Sequence, residues 1–171
     1  MKKNLFTGLI LSVFALVCGL LLAGVNYFTS PIIEARQNEE INESLEIVYP
    51  LLDTSIHNVT KIENSEVDSA YLITLKSSSE KVAVIYVVSS AGYAGNIQMM
   101  IAIDSSFEVT GYKVLVTNET KGDITTHDFG MIGESEVNST TFDALAGSTF
   151  SSKAVKNCFT IALAEARVDL V

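Results

Sequence analysis

The chain has 171 residues, 11 of them basic and 20 acidic, for a formal net charge of −9 at pH 7. That length holds one domain plus an appendage. The acidic balance argues against binding a phosphate backbone and against lying flat on anionic lipid, so no nucleic-acid partner is expected. Two cysteines, Cys18 and Cys158, and two distant histidines, His57 and His127, supply neither a disulfide framework nor a metal-ligand set. Both histidines read as solvated loop residues.

From Leu5 to Phe28, 24 residues pass without a charged side chain. At about 1.5 Å of rise per residue, such a helix exceeds the roughly 30 Å hydrocarbon core of a bilayer. Lys2 and Lys3 precede the run, and every acidic residue follows it. The positive-inside bias then leaves residues 1–4 cytoplasmic, makes 5–28 a transmembrane helix and sends the remainder outward. Tyr27 and Phe28 stand where an interfacial aromatic anchor belongs. A cleaved signal peptide is the competing reading. The length of the run, and the lack of a clean small-x-small site after it, favour an uncleaved anchor. Cys18 lies within the run as an ordinary apolar residue.

Residues 29–50 read as a stalk helix. Pro31 suits a first turn, with Ser30 as its cap. Ile41, Leu45 and Val48 recur at helical spacing, and Tyr49-Pro50 ends the pattern. Residues 51–171 then form one extracytoplasmic domain. "AYLITL" and "KVAVIYVV" are β-rich runs around "KSSSE", and "NIQMMIAI" and "EVTGYKVLV" form a second pair around "DSSF". Four consecutive antiparallel strands make a meander, which needs a helix to bury its apolar side. The C-terminal segment supplies one, with Val155, Cys158, Phe159, Ala162 and Ala166 on one face. The fold class is therefore α+β: an N-terminal transmembrane helix, a stalk helix, and a β-meander packed by a C-terminal helix. Residues 117–141 are rich in Gly, Thr, Asn and Asp and read as a long loop.

The stretch "DALAGSTFSSKAV", residues 143–155, admits two readings. In one, Ser151 caps the helix and the small residues before it are a plain approach. In the other, Gly147 lets the backbone come close and Thr149 places a hydroxyl at a helix N-terminus. A phosphate esterified there is held by amides and by the Ser151 and Ser152 hydroxyls. No histidine adjoins Thr149 as a base, so no catalytic residue is assigned.

This stretch resembles the flavinylation motif of the FMN-binding domain family, which includes subunits of Rnf-type complexes and of sodium-translocating NADH:quinone oxidoreductases. The family pattern is Asp, two variable residues, then Ser/Thr-Gly-Ala-Ser/Thr. Asp143, Gly147 and Thr149 match it, whereas Ala146 and Ser148 depart from it. "AGYAGNIQMMIAID" and "VTGYKVLVTNETKG" are similar to two of the family's strands, and Glu119, Thr120 and Gly122 remain of the loop that follows the second.

The resemblance implies covalent FMN, joined as a phosphoester to Thr149 by an FAD-dependent flavin transferase. Asp143 and Gly147 shape the site for that enzyme. Ser148, Glu119 and Thr120 lie near the cofactor, and Tyr93 either packs on the flavin ring or is a buried structural tyrosine. The implied function is a membrane-anchored electron-transfer subunit of an Rnf-type ion-translocating oxidoreductase, with other membrane subunits as partners. Two alternatives are a stand-alone extracytoplasmic flavoprotein relay and a cofactor-free, membrane-tethered binding module. The second accommodates the N-x-Ser/Thr sequons at Asn42, Asn58, Asn118 and Asn138.

Overall fold

The computed structural model describes residues 11–13, 15–27, 29, 44–119 and 123–171. The chain divides into two units, Met1–Asn42 and Glu43–Val171. In the first, residues 11–13, 15–27 and 29 are helical and largely exposed. Among the described residues no helix is long and apolar enough to cross a membrane. The expected span at 5–28 includes residues 5–10, 14 and 28, which lie outside the described residues. Ser30, Pro31 and Ile41 of the expected stalk also lie outside them.

The second unit contains β1 (His57–Ile62), β2 (Ser69–Leu75), β3 (Lys81–Ala91), β4 (Asn96–Asp104), β5 (Val109–Val116) and a C-terminal helix, α1 (Thr149–Asp169). The strands form one antiparallel sheet in chain order, β1-β2-β3-β4-β5. The four expected strands are β2 to β5, and the sheet gains a fifth at its edge. Asn58, Val59, Thr60 and Lys61 of β1 are exposed. An edge strand pairs on one side only and carries no apolar alternation, so the sequence signal is faint. His57 is a correction: it opens β1, is buried, and its Nδ1 accepts the Asp53 N–H at 3.1 Å.

Val84, Tyr86 and Val88 of β3 and Ile97, Met99, Ile101 and Ile103 of β4 form one core cluster with α1. The helix contributes Val155, Cys158, Phe159, Ala162 and Ala166, the face expected from its spacing. Burial, then the charge of Asp68, pushes the Cys158 thiol up to about 12, so it serves as a packed apolar group. The other sheet face is covered too, since Ile73, Ile85, Val87, Met100 and Ala102 are all buried. This explains why β3 and β4 read as continuous apolar runs rather than alternations. On that second face Gly111 pairs with Ala102. A Cβ at Gly111 would overlap the Val48 carbonyl, so only glycine admits the helical turn at residues 44–48 against β5. Lys113 Nζ donates to Ser44 Oγ at 3.0 Å, and Leu45, Val48 and Tyr49 are buried.

The long connection from β5 to α1 is irregular, as expected, but its described part is tightly packed. Ile124, Phe129 and Met131 are buried in the core. Phe129 stacks on Phe142 at 5.6 Å, and Tyr112 meets Phe159 edge-on at 5.0 Å. The Tyr112 hydroxyl donates to Asp128 Oδ1 at 3.1 Å and accepts the Phe129 N–H at 2.8 Å. Burial pushes that phenol up to about 12, against the opposing pull of the Phe129 N–H. This aromatic cluster delivers the chain to α1 along a defined path. Phe159→Ala should therefore cost about 3–5 kcal/mol, the range for a buried phenylalanine. Urea unfolding measures it, and a loss below about 0.5 kcal/mol, a surface-like value, would contradict this packing.

Candidate functional site: a cleft at the start of α1

Local hydrogen bonds fix the approach to α1. The Asp143 N–H donates to the Phe129 carbonyl at 2.9 Å. Ser152 Oγ accepts the Leu145 N–H at 3.1 Å and returns a long bond of 3.4 Å to the Leu145 carbonyl. Gly147 adopts φ +79°, a region that a side chain disfavours, and the chain turns there into the helix. Ser148 takes the N-cap position, its carbonyl accepting the Ser152 N–H at 2.8 Å. The helix thus begins at Thr149, earlier than a cap at Ser151 requires. Ser151 is already inside the first turn, because the Gly147 reversal places Ser148 at the cap.

Thr149 is the first helical residue, and its side chain is exposed. The first N–H groups of a helix lack intrahelical acceptors and sit at the positive end of its dipole. Beside Thr149 stand two exposed aromatic rings, Tyr93 (69% exposed) and Phe150 (66%), with centroids 6.4 Å apart and planes tilted by 44°. The two rings pair with each other and so form one continuous aromatic wall. Tyr93 is thus a surface residue, not a buried structural one. Together with Glu119, Gly147, Ser148, Thr149 and Ser151 the rings line a cleft of about 210 Å³. A second cleft of about 430 Å³ shares Gly147 and Thr149, and Lys153 and Lys156 line its far side.

Glu119 joins the two parts of the first cleft. Its Oε1 accepts the N–H groups of Tyr93 at 2.7 Å and Ala94 at 3.0 Å. Its Oε2 accepts the Ser151 hydroxyl at 2.7 Å. Burial raises the Glu119 carboxyl, but the bonds from Ser151, Ala94 and Tyr93 outweigh it and hold the group below the ordinary glutamate value. Gly92 makes this possible, since a Cβ there would overlap Glu119 Oε1.

The structure brings Thr149, Gly147, Ser148, Ser151, Tyr93 and Glu119 to one cleft. Thr120 lies outside the described residues. The Ser151 and Ser152 hydroxyls are spent on Glu119 and on the Leu145 backbone, so neither is poised to donate to a bound phosphate. Asp143 stands apart with an exposed carboxylate, its Oδ2 3.8 Å from His127 Nε2. That nitrogen also lies 3.1 Å from the Asp143 carbonyl, and the His127 ring meets Phe129 edge-on at 4.7 Å. His127 is therefore a half-buried tether of the loop rather than a solvated residue. Sequence reasoning missed Phe150, Lys153 and Lys156. The lysines fall four and seven residues after Thr149, so helical spacing alone could have put them on its face. An exposed hydroxyl, helix-start amides, an aromatic wall and two lysines suit a ligand that is flat and aromatic at one end and anionic at the other.

A model of the FMN-binding domain matches residues 92–164, and a model of the RnfG N-terminal region matches residues 1–48. The chain is 32% identical over 133 residues to the G subunit of the ion-translocating oxidoreductase complex of Shewanella amazonensis, covering 71% of this chain and 61% of that protein. It is 32% identical over 134 residues to the protein of the same description from Shewanella oneidensis, covering 71% and 60%. For that of Shewanella loihica the identity is 33% over 123 residues, covering 66% and 57%. The chain thus spans about three-fifths of the length of these curated relatives.

Proposed function

We propose a function from one premise: the chain belongs to the FMN-binding domain family, with an N-terminal region of the RnfG type. It acts as the FMN-carrying electron-transfer subunit of an Rnf-type ion-translocating oxidoreductase, and Thr149 carries the cofactor through a phosphoester on its Oγ. The carrying observation is the placement of Thr149, an exposed hydroxyl on the first residue of α1 between the Tyr93–Phe150 wall and the Lys153–Lys156 side. Bound FMN supplies the redox chemistry, and the chain supplies position and electrostatics.

The residues divide the work. Thr149 Oγ bonds to the phosphorus of the flavin-mononucleotide half of FAD, the pyrophosphate P–O bond breaks, AMP leaves and the threonine proton is released. A flavin transferase performs this step, and the exposed Asp143 and the Gly147 turn are the surface it reads. Backbone N–H groups at Thr149, Phe150 and Ser151 stabilise the phosphate charge, with Lys153 and Lys156 facing it from the next turns. Ser152 contributes by holding Leu145 in place. Tyr93 and Phe150 offer the flavin ring an apolar surface.

Residues 5–28 anchor the protein in the membrane with the domain outside. The support for this is the uncharged run, the lysines before it and the match of residues 1–48 to the RnfG N-terminal region. Other subunits of the complex deliver and accept the electrons.

Three experiments test this reading. Thr149→Val keeps the side-chain shape and removes the ester oxygen, so flavin fluorescence should vanish from the denatured protein band while the far-UV circular dichroism is retained. Ser148→Ala, which moves the motif toward the family pattern, should keep the flavin. Flavin on Thr149→Val but not on Ser148→Ala would move the acceptor to the serine. For the topology, protease added outside cells whose outer envelope has been opened should digest the domain. Digestion only after the inner membrane is lysed would overturn the outward orientation.

A further inference from the structure

We infer that Glu119 is a positioning residue for the Thr149 site: its carboxylate clasps the β3–β4 turn to the first turn of α1. The clasp holds the acceptor hydroxyl and the Tyr93–Phe150 wall on one cleft. This rests on the reading of Thr149 as the FMN-bearing residue, and it assigns Glu119 a role other than contact with the cofactor.

Three observations carry it. Both carboxylate oxygens are already engaged, Oε1 by the Tyr93 and Ala94 N–H groups and Oε2 by the Ser151 hydroxyl. A carboxylate in that state has little capacity left for a ligand donor, and its charge repels a phosphate. Its partners lie 25 and 26 residues before it and 32 after it, so one side chain ties together three segments distant in the chain. Gly92 is the matching feature, because any larger residue would place a Cβ on Oε1. Tyr93 and Phe150 belong to the two clasped segments, so the bonds to Glu119 set the separation of their rings. The negative charge also lies beside the first turn of α1, where the helix dipole favours it.

The two clefts that meet at Thr149 therefore differ in charge. With Glu119 lining the first and Lys153 and Lys156 lining the second, an anionic group is driven toward the lysines and an uncharged ring toward the aromatic wall.

The test uses the full chain, purified without flavin and supplied with FAD and a flavin transferase. Glu119→Ala removes all three bonds. Gly92→Ala keeps the carboxylate and all three donor groups but crowds Oε1, and its Cβ also presses on the Gly95 carbonyl of the same turn. Both should load flavin between about tenfold and a hundredfold more slowly at saturating FAD, the scale of a misplaced acceptor. Whatever flavin they carry should show lower fluorescence anisotropy than in the wild type, at unchanged helical circular dichroism. Glu119→Gln, which keeps Oε1 as an acceptor, should fall between them and the wild type. Wild-type loading and anisotropy in both Glu119→Ala and Gly92→Ala would overturn the clasp and leave the Thr149 reading standing. A wild-type chain that never takes flavin would overturn both. If Glu119→Ala and Gly92→Ala fail to fold, Ser151→Ala decides it, because it removes the bond to Oε2 alone. Slower loading with lower anisotropy supports the clasp, and wild-type values of both overturn it.

Discussion

The packing of α1 across β3 and β4 governs the rest of the molecule. One face of this helix, centred on Phe159, closes the core. Its first turn, on the same rigid element, presents Thr149. The position of the hydroxyl relative to the sheet is therefore a consequence of core packing. The aromatic cluster of Tyr112, Phe129, Phe142 and Phe159 locks the preceding connection to the same core. A loop of this length would otherwise carry a large ordering entropy to the site it serves. Here that entropy is offset by buried aromatic surface, which brings Asp143 and Gly147 to the helix in a defined geometry.

Electrostatics distinguishes the two clefts that meet at Thr149. Two N–H groups of the β3–β4 turn and the Ser151 hydroxyl of α1 surround the Glu119 carboxylate in the first, and Lys153 and Lys156 line the second. The domain is acidic as a whole, so this local cationic edge beside helix-start amides is a departure from its surroundings. A ligand with an uncharged ring and a charged tail is oriented by such an arrangement. The family match over residues 92–164 begins at Gly92 and extends into α1, so it encloses both clasped segments and the acceptor.

Strands β2 to β5 and the buried face of α1 were legible in the sequence because apolar β-branched runs and 3.6-residue spacing are strong local signals. The strand β1 was not, since HNVTKI is held by pairing with β2 rather than by burial. The helix start was misplaced toward Ser151 because a serine run offers several caps, and only the positive φ of Gly147 selects Ser148. His57 and His127 looked solvated because their partners, the Asp53 N–H and the Asp143 carbonyl, are backbone groups that no motif encodes. For the site, the motif pointed to Asp143, Gly147 and Thr149. It could not show that Ser151 and Ser152 spend their hydroxyls internally, or that Glu119 reaches across to Tyr93 and Ser151. The Glu119 contacts join segments more than 20 residues apart, and the Ser152 bond to Leu145 spans seven residues across the Gly147 turn.

The account stands on a covalent bond at one oxygen atom, and a fragmentation mass spectrum of the digested protein reads that bond directly. After co-expression with a flavin transferase, the tryptic peptide covering residues 122–153 should be heavier by one FMN less one water. The added mass should appear on every fragment that contains Thr149 and be absent from N-terminal fragments ending at Ser148. An unmodified peptide, or the added mass already present on fragments ending at Ser148, would contradict it.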